Sequence, residues 1–234
     1  MRNDYKSALI VGARNGLSAS LARLFHREAD MRIGLAARSV DKLAALVAET
    51  GAVAVACDAT QPADVDRLFD TMDRRLGGPP DVVVYNASAR ARGPLVDLDS
   101  ASVAQALAVS AFGGFLVAQQ AARRMSAKGH GAILFTGASA SVKGYAQSAS
   151  FAMGKFALRG LAQSLAHELS PQGIHVAHFV IDGAIRNPGR TEPPDAPDSM
   201  LDPDAIAHAY LDILRQDRSA WTWEVELRPW VERF

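Results

Sequence analysis

The residues of this sequence best placed to do chemistry begin with a glycine turn. Gly12-Ala13-Arg14-Asn15-Gly16-Leu17-Ser18 follows a short apolar run, Ala8-Leu9-Ile10-Val11, and opens a helical pattern with Leu17, Leu21, Leu24 and Phe25 on one face. A strand, a glycine turn and a helix in that order leave unpaired N–H groups at the helix start, where the helix dipole favours an anion. Gly12 and Gly16 let a phosphate approach the backbone with no Cβ in the way. Two glycines four apart also serve a turn for steric reasons alone, so the surrounding elements decide. Two arginines stand nearby, Arg14 inside the turn and Arg38 just after a second apolar run. A guanidinium suits a phosphate in charge and in forked geometry. The six histidines have no metal-ligand spacing, and the single cysteine, Cys57, allows neither an intrachain disulfide nor a thiolate cluster. No metal site is expected.

The elements that must position these residues repeat in a regular order. Strand-like runs cover residues 31–37, 52–57, 81–86, 131–136 and 174–181. Between them lie helical patterns over residues 39–49 (capped by Ser39), 62–76 (with Pro62 in its first turn), 99–128 and 150–169. Such alternation predicts a parallel sheet covered on both faces. With right-handed crossovers it becomes a single-domain, doubly wound α/β Rossmann fold of about seven strands. Residues 187–203 hold five of the eleven prolines and are expected as a mobile flap over the carboxyl edge of the sheet. A last helix over residues 203–215 leads into residues 221–234, a final strand and tail. Alternation there puts Trp221, Trp223, Val225 and Leu227 on one face, and Trp230 in the tail is available to dock on a neighbouring subunit.

Composition narrows the function classes. The 234 residues suffice for one α/β domain with a large core. Lys+Arg and Asp+Glu balance at 25 each, so no net basic field draws nucleic acid or anionic lipid. The N-terminus is polar and no segment reads as an uninterrupted apolar span, so a soluble cytoplasmic protein is expected.

In this order, the pieces resemble the short-chain dehydrogenase/reductase family over nearly the whole chain. The turn from Gly12 to Ser18 is similar to the family's GxxxGxG, with serine at the third glycine. Asp58 matches the acid that binds the adenine amino group. Asn86-Ala87-Ser88 is similar to the Asn-Ala-Gly ending strand four, Lys155 lies where YxxxK has its lysine, and Asp182-Gly183 stands at the usual Pro-Gly. The resemblance implies a nicotinamide cofactor held by Gly12, Arg14, Asn15, Gly16, Leu17, Arg38, Asp58, Asn86, Ala87, Lys155 and Gly183. In dinucleotide folds an acid ending strand two bonds the ribose hydroxyls and repels a 2′-phosphate. Here Ala37 and Arg38 stand at that point with no carboxylate before Asp41, so NADP(H) is favoured over NAD(H).

The catalytic positions depart from the pattern. The resemblance puts the proton-transferring tyrosine at Phe151, the serine at Ala138 and the helix-four asparagine at Ser110, so of the four only Lys155 is kept. A phenyl ring moves no proton, and general acid catalysis is typically worth ~10²–10⁴-fold. Substitute groups nearby are Ser139, Tyr145, Ser148, Ser150 and Lys155, with Ser150 the best placed to cap its helix. Two readings stay open. One is an NADP(H)-dependent oxidoreductase with a non-standard proton donor, acting on a small, mostly apolar carbonyl, enoyl or imine compound. The other is a non-catalytic NADP(H)-binding sensor, scaffold or partner subunit. The pocket is expected to be small and mostly apolar, unless Arg90, Arg92 or Arg186 turns inward to meet a carboxylate. A homodimer or homotetramer is expected through helices four and five, whose small residues (Ala111, Gly113, Gly114, Ala118; Ala152, Gly154, Ala157, Gly160) allow close approach.

Overall fold

The computed structural model describes residues 5–232. Strand β1 (Ser7–Val11) runs into helix α1 (Leu17–Ala29), then β2 (Arg32–Ala37), the short α2 (Ala44–Thr50) and β3 (Val53–Ala56). Helix α3 (Pro62–Arg75), β4 (Val82–Tyr85), the long α4 (Ser100–Lys128) and β5 (Gly131–Thr136) follow. The chain continues with α5 (Ala149–Leu169), β6 (Ile174–Ile181), the short β7 (Ala184–Ile185) and β8 (Met200–Leu201), α6 (Pro203–Leu214) and β9 (Glu224–Leu227). Seven strands pair in parallel in the order β3-β2-β1-β4-β5-β6-β9. The order reverses between β1 and β4, and at such a switch point the two flanking loops diverge and leave a crevice at the carboxyl ends of the strands.

The central strands β1, β4, β5 and β6 are buried along their whole length, which is why they read as continuous apolar runs. Ala8, Ile10, Leu35, Val84, Leu134 and Phe179 face α1 and α6, where Phe179 stacks on Tyr210. Leu9, Val83, Tyr85, Ile133 and Phe135 face the other way, against Phe69 of α3, Met125 of α4 and Leu158 of α5. Edge strand β9 is tied to α5 by Arg159, which grips Glu224 with two bonds of 2.6 and 2.7 Å while His178 Nδ1 meets the same carboxylate at 3.0 Å.

Several details differ from the sequence reading. Ser39 caps nothing: a 3₁₀ turn, Asp41–Leu43, precedes α2, and Val40 stands at its start without a side-chain bond. The long helix is capped by Asp99, whose Oδ2 accepts from the Ser102 amide at 2.8 Å. Five of its residues, Ala108–Phe112, form a π-helical turn, and the Tyr85 hydroxyl donates to the Val109 carbonyl in that turn. By length and composition α4 could cross a membrane; here its inner face lies in the core, with Val117, Ala118, Ala121 and Met125 buried. Trp223 does not share a face with Val225 and Leu227. A bend at Trp223 precedes the strand, so its indole packs on the α5 side, 5.4 Å from the Arg159 guanidinium. Val225 and Leu227 join the opposite core cluster, and Trp221 stacks on His175 at 4.5 Å.

Gly114 and Gly154 serve close packing inside the subunit, whereas Ala157 and Gly160 of α5 are exposed. A Cβ on Gly114 would lie 2.6 Å from Leu158, and one on Gly154 would lie 2.7 Å from the Ser110 Cβ. The outward faces of the two helices instead present Phe112, Phe115, Met153 and Phe156 to solvent. The proline-rich excursion is not structureless throughout, since β8 returns to pair with β7.

Candidate active site

The carboxyl edge of the sheet holds three adjoining cavities. The one over β2 and β3, about 580 Å³, is lined by Gly12, Arg14, Arg38, Lys42, Asp58 and Ala87. Gly12 and Ala13 both donate to the Ala36 carbonyl at 2.9 Å, which folds the turn back over β2. Gly12 has φ +84°, and a Cβ there would overlap the Ala87 backbone. Gly16 has φ +88° and offers no side chain to the first amides of α1, so this helix start is open to an anion. Ser18, at the third glycine of the pattern, is fully buried. Its hydroxyl donates to the Gly12 carbonyl at 3.4 Å and accepts from Asn86 Nδ2 at 2.7 Å. Asp58 is held in a tight turn, with Oδ1 accepting from the Thr60 amide and hydroxyl. The residues present fit a dinucleotide here: the helix start is free of side chains, and Arg14, Arg38 and Lys42 line the cavity beside it.

The inner cavity, about 630 Å³, runs from Asn15, Gly16 and Leu17 to Thr136, Phe151, Lys155 and Gly183. Lys155 is 3% exposed and donates to the Thr136 carbonyl at 2.6 Å. Burial first, then Arg90 and Arg14, pull its ammonium down to about 7. Phe151 lies one helical turn earlier, and its ring centroid is 5.9 Å from Lys155 Nζ. The outer cavity, about 540 Å³, is lined by Ser139, Tyr145, Ser148 and Phe151 among others. Ser139 also bonds Asp182; burial works against that carboxylate, but Ser139 and Lys143 hold it below its ordinary range. Tyr145 is half exposed on the rim.

Two expectations about this region are corrected. The lining is not mostly apolar: Arg90, Arg92 and Arg190 line both the inner and outer cavities. Arg186 turns away to pair with Asp202 at 3.6 Å. Ser150 is not a cap either, because α5 starts one residue earlier, after Ser148. Its hydroxyl instead exchanges bonds with the Ala91 backbone, accepting from N–H at 2.9 Å and donating to the carbonyl at 2.8 Å.

The sequence of this cleft and its scaffold matches known proteins. A family model of short chain dehydrogenases covers residues 6–191. The chain belongs to the short-chain dehydrogenase family. Within that family it is 33% identical to a sorbitol dehydrogenase of Cereibacter sphaeroides over 190 residues, 78% of this chain and 73% of that one. It is 29% identical to the 3-oxoacyl-[acyl-carrier-protein] reductase MabA of Mycobacterium avium, over 77% of this chain and 67% of that one. A crystal structure of a short-chain dehydrogenase from Rhodopseudomonas palustris superposes with a TM-score of 0.82 at 33% identity, covering 96% of this chain and 99% of that one. Members of the family are oxidoreductases.

Among the residues that line the site of this short-chain dehydrogenase, sequence reasoning missed Lys42, Arg190 and Thr136. Lys42 follows Arg38 by four positions and carried a readable signal, a second cation beside the first in the same cavity. Arg190 sits in the proline-rich excursion, where no periodicity says which way a side chain turns. Thr136 acts through its backbone carbonyl, which no sequence displays.

Proposed function

We propose that this chain is an NADP(H)-dependent oxidoreductase that acts on a small carbonyl, enoyl or imine compound with a proton donor other than the usual tyrosine. The observation that carries the reading is Lys155, a buried amine in a cavity that runs on from the glycine turn. When bound, the nicotinamide supplies or takes up the hydride. The chain's part is to hold it: Gly12, Asn15, Gly16 and Leu17 at the pyrophosphate, Asp58 and Ala87 at the adenosine, and Asn86, Lys155 and Gly183 toward the ribose and nicotinamide. Arg38, with Arg14 and Lys42 beside it, favours a 2′-phosphate over free ribose hydroxyls. Residues 187–203 act as the mobile flap. Asn187 already lies across the glycine turn, with its Cβ 3.3 Å from where a Gly16 Cβ would be. The enzyme is read as soluble and cytoplasmic. Its dimer or tetramer would form through the outer faces of α4 and α5, where Phe112, Phe115, Met153 and Phe156 are exposed.

Tyr145 and Ser148 are the hydroxyls that line the outer cavity without the commitment that ties Ser139 to Asp182, and Tyr145 is the proton donor of choice. The alternative of a non-catalytic NADP(H) binder draws support from one observation: Phe151, at the tyrosine position, has a ring that carries no proton. Titration with NADPH and NADH, followed by reduced-nicotinamide fluorescence, tests the cofactor reading. The wild type should bind NADPH about tenfold or more tightly than NADH, as one charge-assisted hydrogen bond implies, and Arg38→Glu should erase the difference. Equal affinities would refute the preference. NADPH oxidation against carbonyl, enoyl and imine panels then separates the two functions, since turnover lost in Tyr145→Phe identifies the donor and no turnover at all favours the binder.

A further inference from the structure

The positions where this chain departs from its family's catalytic pattern meet again around one loop. Residues 89–92 read Ala-Arg-Ala-Arg. The Ala89 backbone exchanges bonds with the Ser110 hydroxyl, its N–H donating at 3.2 Å and its carbonyl accepting at 3.3 Å. The Ala91 backbone is held in the same way by Ser150. Both serines are fully buried, one in the π-helical turn of α4 and one at the start of α5. The loop is thereby pinned on both sides of Arg90. The Arg90 guanidinium lies over the Phe151 ring, 3.8 Å from its centroid, a stacking that fixes a planar cation against an aromatic face. Phe151 and Ser110, which stand in place of a catalytic tyrosine and asparagine, thus serve to hold an arginine.

Arg92 and Arg190 complete the outer cavity wall, and no Asp or Glu lines either it or the inner cavity. Asp182, between lining residues 181 and 183, is buried and engaged by Lys143 at 3.1 Å. Burial, with Arg92, Arg190 and Arg14, works against the Arg90 charge. Cations gathered without a carboxylate repel one another, and an anion among them relieves the repulsion. We propose that the outer cavity is an oxyanion subsite, in which Arg90, Arg92 and Arg190 bind the carboxylate of a small acidic substrate. The word substrate rests on the oxidoreductase reading above; the binding of the anion does not.

Calorimetric titration of the whole chain, with and without saturating NADP⁺, using benzoate, phenyl phosphate and the neutral isostere benzamide tests the assignment. Benzoate should bind at least tenfold more tightly than benzamide and on top of NADP⁺. Arg92→Gln and Arg190→Gln, both at exposed positions, should each weaken it about tenfold, the worth of one charge-assisted hydrogen bond. Tighter binding of phenyl phosphate would support the same site with a phosphate monoester in place of the carboxylate. Equal affinity for benzoate and benzamide overturns the proposal. So does displacement of NADP⁺ by benzoate, or loss of NADPH binding in the two variants, because the arginines would then belong to the cofactor's phosphates. NADPH binding is measured first on each preparation. Its failure in the wild type strikes the proposed function, and the titration of the unloaded chain still decides the anion site.

Discussion

Lys155 should make the stability of this protein depend on pH in a way that one substitution removes. Its amine ordinarily titrates near 10.5, and in the fold burial brings it to about 7. Between those values the unfolded chain binds a proton that the folded chain does not, so stability rises with pH through this window and levels off above it. The gain from pH 7 to pH 9 is about 2 kcal/mol, the slope of ~1.36 kcal/mol per unit reduced near pH 7, where the folded amine is still half protonated. Lys155→Met keeps the length and apolar stem but does not titrate. It also loses the 2.6 Å bond to the Thr136 carbonyl; the pH-dependent part of that bond is already contained in the folded-state value, so the loss changes the level and not the expected slope. Urea unfolding at pH 7, 8 and 9 should show the wild type gaining about 2 kcal/mol on the variant, a shift of roughly 4–8 °C in Tm for a chain of this size. A wild-type-to-variant difference that stays level across the three pH values would refute the argument, meaning that Lys155 remains an ammonium in the folded chain.

Two further outcomes follow from the geometry. Gly12→Ala should abolish cofactor binding and lower stability by at least ~1–3 kcal/mol, because φ +84° strains an alanine and its Cβ meets the Ala87 backbone; unchanged NADPH titration in a folded variant would count against the cradle. Glu224→Gln should cost about 1–3 kcal/mol at neutral pH by weakening the grip of Arg159. Although burial opposes it, bonding to Arg159 and His178 holds the Glu224 carboxyl below its ordinary range. Its contribution is therefore present above pH ~4.5 and fades as pH falls through the lowered value, and unfolding curves of wild type and variant should converge on acidification.

Much of the fold was legible because the physics that forms it is local and repetitive. Strands buried on both faces must be continuously apolar, and β5 and β6 span the same residues in the structure as in the sequence reading. Departures came where a distant group intervened. The π-helical turn accommodates a hydroxyl from β4, and the bend at Trp223 precedes the point at which β9 engages β6. The glycines of α4 and α5 show the same limit. Composition tells that something approaches closely, and only packing tells that Gly114 meets Leu158 of the same chain.

The sequence by itself determined the scaffold and the place of the glycine turn. Gly12 and Gly16 fall in the turn between β1 and α1, Arg38 follows β2, and Lys155 stands one turn after Phe151, since these are matters of residue type and spacing along the chain; the positive φ of both glycines came from the structure. Only the tertiary structure decided what surrounds the inner and outer cavities. Arg90, Arg92 and Arg190 come from a loop after β4 and an excursion after β6, about a hundred residues apart in the chain. An arginine's side chain is long and rotatable, so its direction is set by what pins its backbone and by the face it rests on. For Arg90 those are Ser110, Ser150 and the ring of Phe151, and their convergence exists only once the sheet has brought α4 and α5 together.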